Sequence, residues 1–450
     1  MKRRTFLALS TATVGISACG HSRQTRDNET MASLVTTPSL AEGLDMLTDD
    51  QTVDTALQEI EALGAIEIEA ILGDGSAIST RSILTPDKMA PLFPVPPITE
   101  ELRASLLGRK YWALPEAERP NTTWPDARRS PDYLHFADFP LTAPKFTLSA
   151  DVLQLLAARN AFDLRADDPV VVFGLRGCRM QIDANEAVWA PEHALIASTP
   201  THLEKGCVIG LWRPADGQIA LFKSSTVPSA RYIFIALPQQ GAGTSLLPTG
   251  LYNYARGDHL ASKPKSIQRG ALQMQDTYAV LRTAAEMVYD PFLATTAWTR
   301  GAGHNIHAAG RSHDFDSAGC QVVEGTYLKP ERLKTTGAWD TFRKFAGTID
   351  ETGAAPPATA QRRFQYMLLT GLEAALAYHG GAAFEAAYRP LRFGSSGSRV
   401  AELQEALIAN HGRAVESLKA SGRFDIQTTF AALLENKFEM GDFGSHVVMN

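Results

Sequence analysis

Gly303-His304-Asn305-Ile306-His307-Ala308-Ala309-Gly310-Arg311-Ser312-His313-Asp314-Phe315-Asp316-Ser317-Ala318-Gly319-Cys320-Gln321-Val322-Val323 gathers three of the chain's eleven histidines, one of its four cysteines and a run of small residues. The alternation around Ile306-His307 suits a strand better than a helix. A thiol attacks a carbonyl only as thiolate, so it needs an imidazole to take or stabilise its proton, and a Cys-His pair on adjacent strand ends meets that need. Gly319 lets a substrate approach closely, and the amides around Cys320 can donate to a developing oxyanion. His304, His307 and His313 with Asp314 and Asp316 also offer zinc donors, the alternative being a metallopeptidase, but their spacing matches no strong zinc signature.

Outward from this stretch the chain reads as β. Val170–Phe173, Ala187–Trp189, Cys207–Trp212, Gln218–Phe222 and Tyr232–Leu237 are strand-type runs, and Trp212-Arg213-Pro214-Ala215-Asp216-Gly217-Gln218 is a hairpin signal. With a short helix over Val152–Ala161, they predict a mainly β domain over 151–330. A helical connector follows over 331–385: Ala338–Ala346, then Arg362–Tyr378 with Phe364, Met367, Leu368, Leu372 and Leu376 on one face, closed by Gly380-Gly381. The last unit, 386–450, carries Val400, Leu403 and Leu407 on one helix and Phe430, Leu433, Leu434 and Phe438 on another. Ser398 is a candidate N-cap, and Thr428 or Thr429 a capping hydroxyl. Upstream, 39–150 holds two amphipathic helices and then a loop-rich stretch with eleven of the 25 prolines. The predicted fold class is multidomain α+β, a mainly β domain joined to a small all-α C-terminal bundle.

Length and composition support two or three domains with real cores: 450 residues, 44% hydrophobic and 20% charged. A net charge of −6 without a long basic run argues against nucleic acid as a partner. Lys2-Arg3-Arg4, the apolar run from Phe6 to Ile16 and Ser17-Ala18 before Cys19 read as an export signal over 1–18. Polar residues 19–38 follow as a tether. In an oxidising compartment, a Cys178–Cys207 bridge, which the sequence cannot prove, would leave Cys320 as the odd thiol.

Four resemblances sharpen this reading. Arg3-Arg4-Thr5-Phe6-Leu7 resembles a twin-arginine motif, and Ile16-Ser17-Ala18-Cys19 a bacterial lipobox. That likeness implies lipidation at Cys19 and an exported, periplasmic protein anchored to a membrane through the lipid. Gly20 resembles the pattern of lipoproteins sorted to the outer membrane. Ile306-His307, Ser317-Ala318-Gly319-Cys320 and Leu247-Pro248-Thr249-Gly250-Leu251-Tyr252 resemble the L,D-transpeptidase catalytic domain. This implies Cys320 as nucleophile, His307 as its base, and Gly319 with Cys320 as oxyanion hole. Ala318 stands where that family has a second His, and Val322 where it has an Arg, so Arg311 is the nearest guanidinium for a substrate carboxylate. Ser317, His304 and Tyr252 are the other candidate substrate contacts.

Leu391-Arg392 to Val400, Leu403-Gln404 and Gly422-Arg423-Phe424 resemble the three-helix peptidoglycan-binding module. Together these likenesses imply an enzyme acting on peptidoglycan stem peptides and held on the glycan, with no cofactor and no metal. The alternatives are a non-catalytic peptidoglycan-binding lipoprotein and a zinc-dependent murein peptidase.

Overall fold

The computed structural model describes residues 143–450 apart from 182–186, 199, 203, 230–231, 233–243, 262–266, 284–295, 302, 311–314, 329–333, 351, 355, 357–359, 388, 435–445 and 449–450. The export signal, Cys19, the tether, nearly all of 39–150, most of the strand expected over 232–237 and Arg311 lie outside the described residues.

Eight strands close into a barrel: Val171–Arg176 (β1), Cys207–Arg213 (β2), Gln218–Ser225 (β3), Gly250–His259 (β4), Gln268–Met274 (β5), Ile306–Ala308 (β6), Gln321–Val323 (β7) and Arg363–Thr370 (β8). Around the barrel they run β6-β7-β3-β2-β1-β8-β4-β5. Two pairs, β6 with β7 and β8 with β1, are parallel, and the remaining neighbours are antiparallel. Among the described residues the helices are Ala150–Arg159 (α1), Ala338–Phe345 (α2), Gly371–Ala387 (α3), Ser398–His411 (α4) and Ile426–Leu434 (α5). The architecture is therefore mixed α+β and mainly β.

Alternation explains how the barrel is filled. Val172, Phe364, Tyr366 and Leu368 belong to one buried cluster, while Val171, Phe173, Leu175, Met367 and Leu369 join a second one with Leu153 and Leu156 of α1 and Leu372 of α3. Tyr366 reaches across the interior, its hydroxyl 3.3 Å from Oε1 of Gln321 on β7. The β2–β3 hairpin turns where the sequence signals it, with Gly217 at φ +70 and its amide bonded to Arg213 O.

The helix expected over Arg362–Tyr378 is half strand: β8 runs to Thr370 and only then does α3 begin. Buried on both faces beyond Arg363, β8 ends in the continuous apolar run Tyr366–Leu369, which imitates a helical stripe. The switch has a local cause. Glu373 N–H donates to Thr370 Oγ1 (3.0 Å) and Thr370 N–H to Glu373 Oε2 (3.2 Å), a reciprocal capping box that starts the helix. Segment 331–385 thus supplies a barrel strand, and α3 continues through Gly380-Gly381 to Ala387 instead of closing there.

The C-terminal unit is docked on the barrel. Arg392, fully buried, reaches Glu373 Oε1 at 2.7 Å and Thr249 Oγ1 at 2.7 Å, and Leu251 N–H donates to Phe393 O. Its own core joins Leu391, Val400, Leu403, Leu407, Val415, Leu418 and Phe424. Gln404 ties the unit together, donating to Arg423 O and Thr428 Oγ1 and accepting from Gly422 N. Two caps differ from expectation. Gly397, not Ser398, precedes α4, and the carboxylate of Asp425 accepts Thr428 N–H at 2.9 Å ahead of α5. A two-stranded ribbon, Pro390–Arg392 with His446–Val448, adds β structure to the unit expected to be all-α.

Because the Glu373–Arg392 pair is 0–1% exposed, removing one partner leaves an uncompensated buried charge. Arg392→Met should lower unfolding stability by about 3–5 kcal/mol in a denaturant titration, whereas neutralising the exposed Arg213–Asp216 pair should change it by less than about 1 kcal/mol.

Candidate active site

The parallel pairing Ile306↔Gln321, His307↔Val322 and Ala308↔Val323 sets the site. Ile306, Ala308 and Val323 join the interior cluster and Gln321 meets Tyr366. By the two-residue period, His307, Cys320 and Val322 lie on the opposite face. Val322 and Ala318 are 0% and 2% exposed, so neither position offers open space for the Arg or the His of the resembled pattern.

One ring nitrogen of His307, one of His259 and Cys320 Sγ lie within 4.8 Å of one another. All three residues are buried, and Cys320 is 1% exposed. Its Sγ sits 3.4 Å from Gly303 O. His307 Nδ1 lies 2.8 Å from Ala308 O. A carbonyl only accepts, so in the neutral ring Nδ1 carries the proton and Nε2 carries the lone pair, the form a base needs.

The expected neighbours take structural roles around this pair. Ser317 Oγ donates to Cys320 O at 2.7 Å and accepts Gly319 N–H at 3.1 Å, stapling the turn before β7. The Gly319 amide is thereby engaged by Ser317 and is not available to an oxyanion in this arrangement. Ser229 N and Ser245 N donate to the carbonyls of Ser317 and Ala318, fixing the same turn from outside. Tyr252, fully buried, stacks on Phe393 and donates its hydroxyl to Pro248 O, so both ring and hydroxyl are engaged within the core.

His304 is held by two tyrosines. Tyr278 Oη accepts the His304 amide N–H at 3.0 Å and lies 2.5 Å from its Nδ1. Tyr254 donates to His304 O at 2.6 Å. Burial first, and then the neighbouring Tyr366, Tyr278, Tyr252 and Cys320, hold the Tyr254 hydroxyl well above the ordinary tyrosine range, so it stays a donor.

His259 was not legible as a site residue. It ends β4, 48 positions before His307 in sequence, yet the two rings stack with centroids 4.2 Å apart and planes within 7°. The strand pairing slips between Gly257 and His259, and Leu260 follows in the left-handed region at φ +54. Such a conformation costs a leucine about 1–3 kcal/mol. A glycine inside a strand run, Gly257-Asp258-His259, was the signal available for this bulge.

Two charged rings at this distance would repel by about 4 kcal/mol at an effective dielectric near 20. If His307 takes the thiol proton, His259 therefore stays neutral. These three residues are the one group of three among the described residues with metal-donor spacing. His307 fits a ligand's role, with its Nδ1 proton on a carbonyl. His259 is set the other way: Asn305 Oδ1 accepts Met274 N–H, so the Asn305 amino group faces His259 Nδ1 (3.0 Å) and the proton of the neutral ring is placed on Nε2.

Cys178 and Cys207 are buried free thiols and form no bridge. Burial, then the nearby Cys207, pushes the Cys178 thiol well up. With three free thiols, Cys320 is singled out by its histidines and not by elimination. No helix among the described residues is long and apolar enough to cross a membrane. No protein-family model matches the chain, and no curated protein or solved structure matches it significantly.

A Cβ on Gly319 would lie 2.7 Å from His304 Nε2 and 2.8 Å from the backbone Ser245 O. The side chain can shift, the backbone oxygen cannot without moving the turn. Gly319→Ala should therefore lower unfolding stability by about 1–3 kcal/mol in a denaturant titration, while the far-ultraviolet circular dichroism keeps its wild-type form.

Proposed function

We propose that this protein is a cysteine acyl transferase of L,D-transpeptidase type acting on peptidoglycan stem peptides. The observation that carries the reading is the grouping of Cys320 Sγ with a His307 nitrogen, in a ring whose Nδ1 proton is fixed on Ala308 O. His307 Nε2 takes the thiol proton, and the thiolate attacks the carbonyl between the L-centre of a diamino acid and terminal D-Ala. As the C–N bond breaks, His307 returns that proton to the departing D-Ala amine, leaving a thioester. An amine of a neighbouring stem, or water, then attacks the thioester and regenerates the thiol. Water would make the enzyme a carboxypeptidase.

The likenesses of the lipobox around Cys19 and of the C-terminal unit support an exported, lipid-anchored protein held beside murein. Lipidation at Cys19, an outer-membrane location and glycan binding by residues 386–450 belong to the same proposal. Docking on a polymer would raise the effective concentration of its stem peptides. In the described structure the C-terminal unit is fixed to the barrel by Arg392 and Phe393, which would hold glycan in a set relation to the thiol.

The burial of Cys320 favours a second reading, a peptidoglycan-binding lipoprotein that catalyses nothing. Incubation of the full chain with a carbapenem, followed by intact mass spectrometry, separates the two. The transferase reading expects one covalent adduct at Cys320, lost in Cys320→Ala, and release of D-Ala from murein fragments slowed roughly 10²–10⁴-fold in His307→Ala. Absence of both adduct and D-Ala, with retained binding to murein, would sink it in favour of the second.

A further inference from the structure

His259 is brought to the thiol by several features that packing alone does not need. The β4–β5 register slips immediately before it, Asp258 in the slip accepts Gly270 N–H and its backbone oxygen accepts from Gln273, and Leu260 beyond it sits in a left-handed conformation. Bulges of this kind at a barrel rim re-aim a side chain. The re-aimed ring lies flat on His307 and places a nitrogen within 4.8 Å of Cys320 Sγ.

Its protonation is also set. Asn305 stands two residues before His307, and its Oδ1 is committed to Met274 N–H at 3.0 Å. The amino group therefore points at His259 Nδ1, 3.0 Å away, and donates to it. Nδ1 must then hold the lone pair, and the proton of the neutral ring is on Nε2. His307 has the reverse arrangement, with its proton on Nδ1. The stacked rings are thus complementary: one presents a lone pair from Nε2, the other an N–H from Nε2.

We infer that His259 is the positioning residue of the Cys320–His307 pair, its stacked ring fixing the plane of the base and its Asn305-imposed tautomer supplying a neutral N–H donor beside the thiolate. The role rests on the reading of Cys320 as an activated thiol. It also fills a gap in that reading, because Ala318 replaces the imidazole expected next to Cys320 and the Gly319 amide is engaged by Ser317. A donor beside sulfur stabilises the thiolate without adding a second positive ring against His307.

Two measurements on the full chain test it. Long-range ¹H–¹⁵N correlation of histidine-labelled wild type should report the Nε2–H tautomer for His259 and Nδ1–H for His307. Iodoacetamide alkylation of Cys320, followed over a pH series by peptide mass spectrometry, should reach half its limiting rate at a lower pH than that of free cysteine. At neutral pH it should slow roughly tenfold, one unit of thiol acidity, in His259→Phe, which keeps a ring but has no N–H. His259→Gln, which carries a carboxamide N–H, should recover part of that loss. An Nδ1–H tautomer at His259, or alkylation of His259→Phe within twofold of wild type, overturns the inference while leaving the transferase reading intact. A wild-type alkylation profile with its midpoint at or above that of free cysteine overturns both. The tautomer measurement decides the matter even if His259→Phe fails to fold.

Discussion

The parallel register of β6 on β7 is the constraint on which the site depends. Three residue pairs, Ile306↔Gln321 to Ala308↔Val323, join segments separated by only a short connection and complete the barrel between β5 and β3. Strand side chains alternate, so a slip of one residue would turn His307 into the barrel and Ile306 out of it. The turn that precedes β7 is held in the same register from several sides. Ser317 spans it internally, Ser229 and Ser245 clamp its carbonyls, and Gln321 N–H donates to Asn305 O. The geometry of the candidate site and the closure of the barrel are here one set of backbone bonds.

Around that seam the protein uses buried polar groups as fasteners. Glu373 both caps α3 and receives Arg392, which in turn reaches Thr249 at the entry to β4. One carboxylate thus links the β8–α3 switch, the C-terminal unit and the strand whose far end carries His259. Gln404 plays the same part within the C-terminal unit, using both ends of its amide between α4, the Gly422 turn and α5. Buried pairs of this kind add little net stability over apolar substitutes, but they make a wrong arrangement expensive by stranding a charge or an amide.

The site itself shows how hydrogen-bond direction can assign chemistry. Carbonyl oxygens and backbone amides have fixed roles, and Ala308 O and Met274 N propagate theirs through His307 and Asn305 into the imidazoles. The two tyrosines on His304 do likewise, with the Tyr254 hydroxyl kept protonated by burial. His307 and His259 consequently each carry a defined ring proton, a precondition for moving one proton and not several.

The sequence by itself determined the mainly β character, the β2–β3 hairpin, the strand at Ile306-His307, the helices α1 and α2, and the pairing of a thiol with an imidazole in one segment. These are local: alternation, a Pro-Ala-Asp-Gly turn and residue types a few positions apart. The capping box at Thr370 and Glu373 was equally local but was masked by the apolar run of β8, whose burial on both faces erases the period that distinguishes strand from helix. Tertiary structure alone decided that this run is a barrel strand, that Arg392 pairs with Glu373, that Cys178 and Cys207 remain free thiols, and that Ser317 and Tyr252 serve packing and turns. It alone brought His259 onto His307, because that contact is made by strand pairing through β5 between segments nearly fifty residues apart. Proximity across a closed sheet depends on register summed over several strands, and no short window of sequence carries that sum.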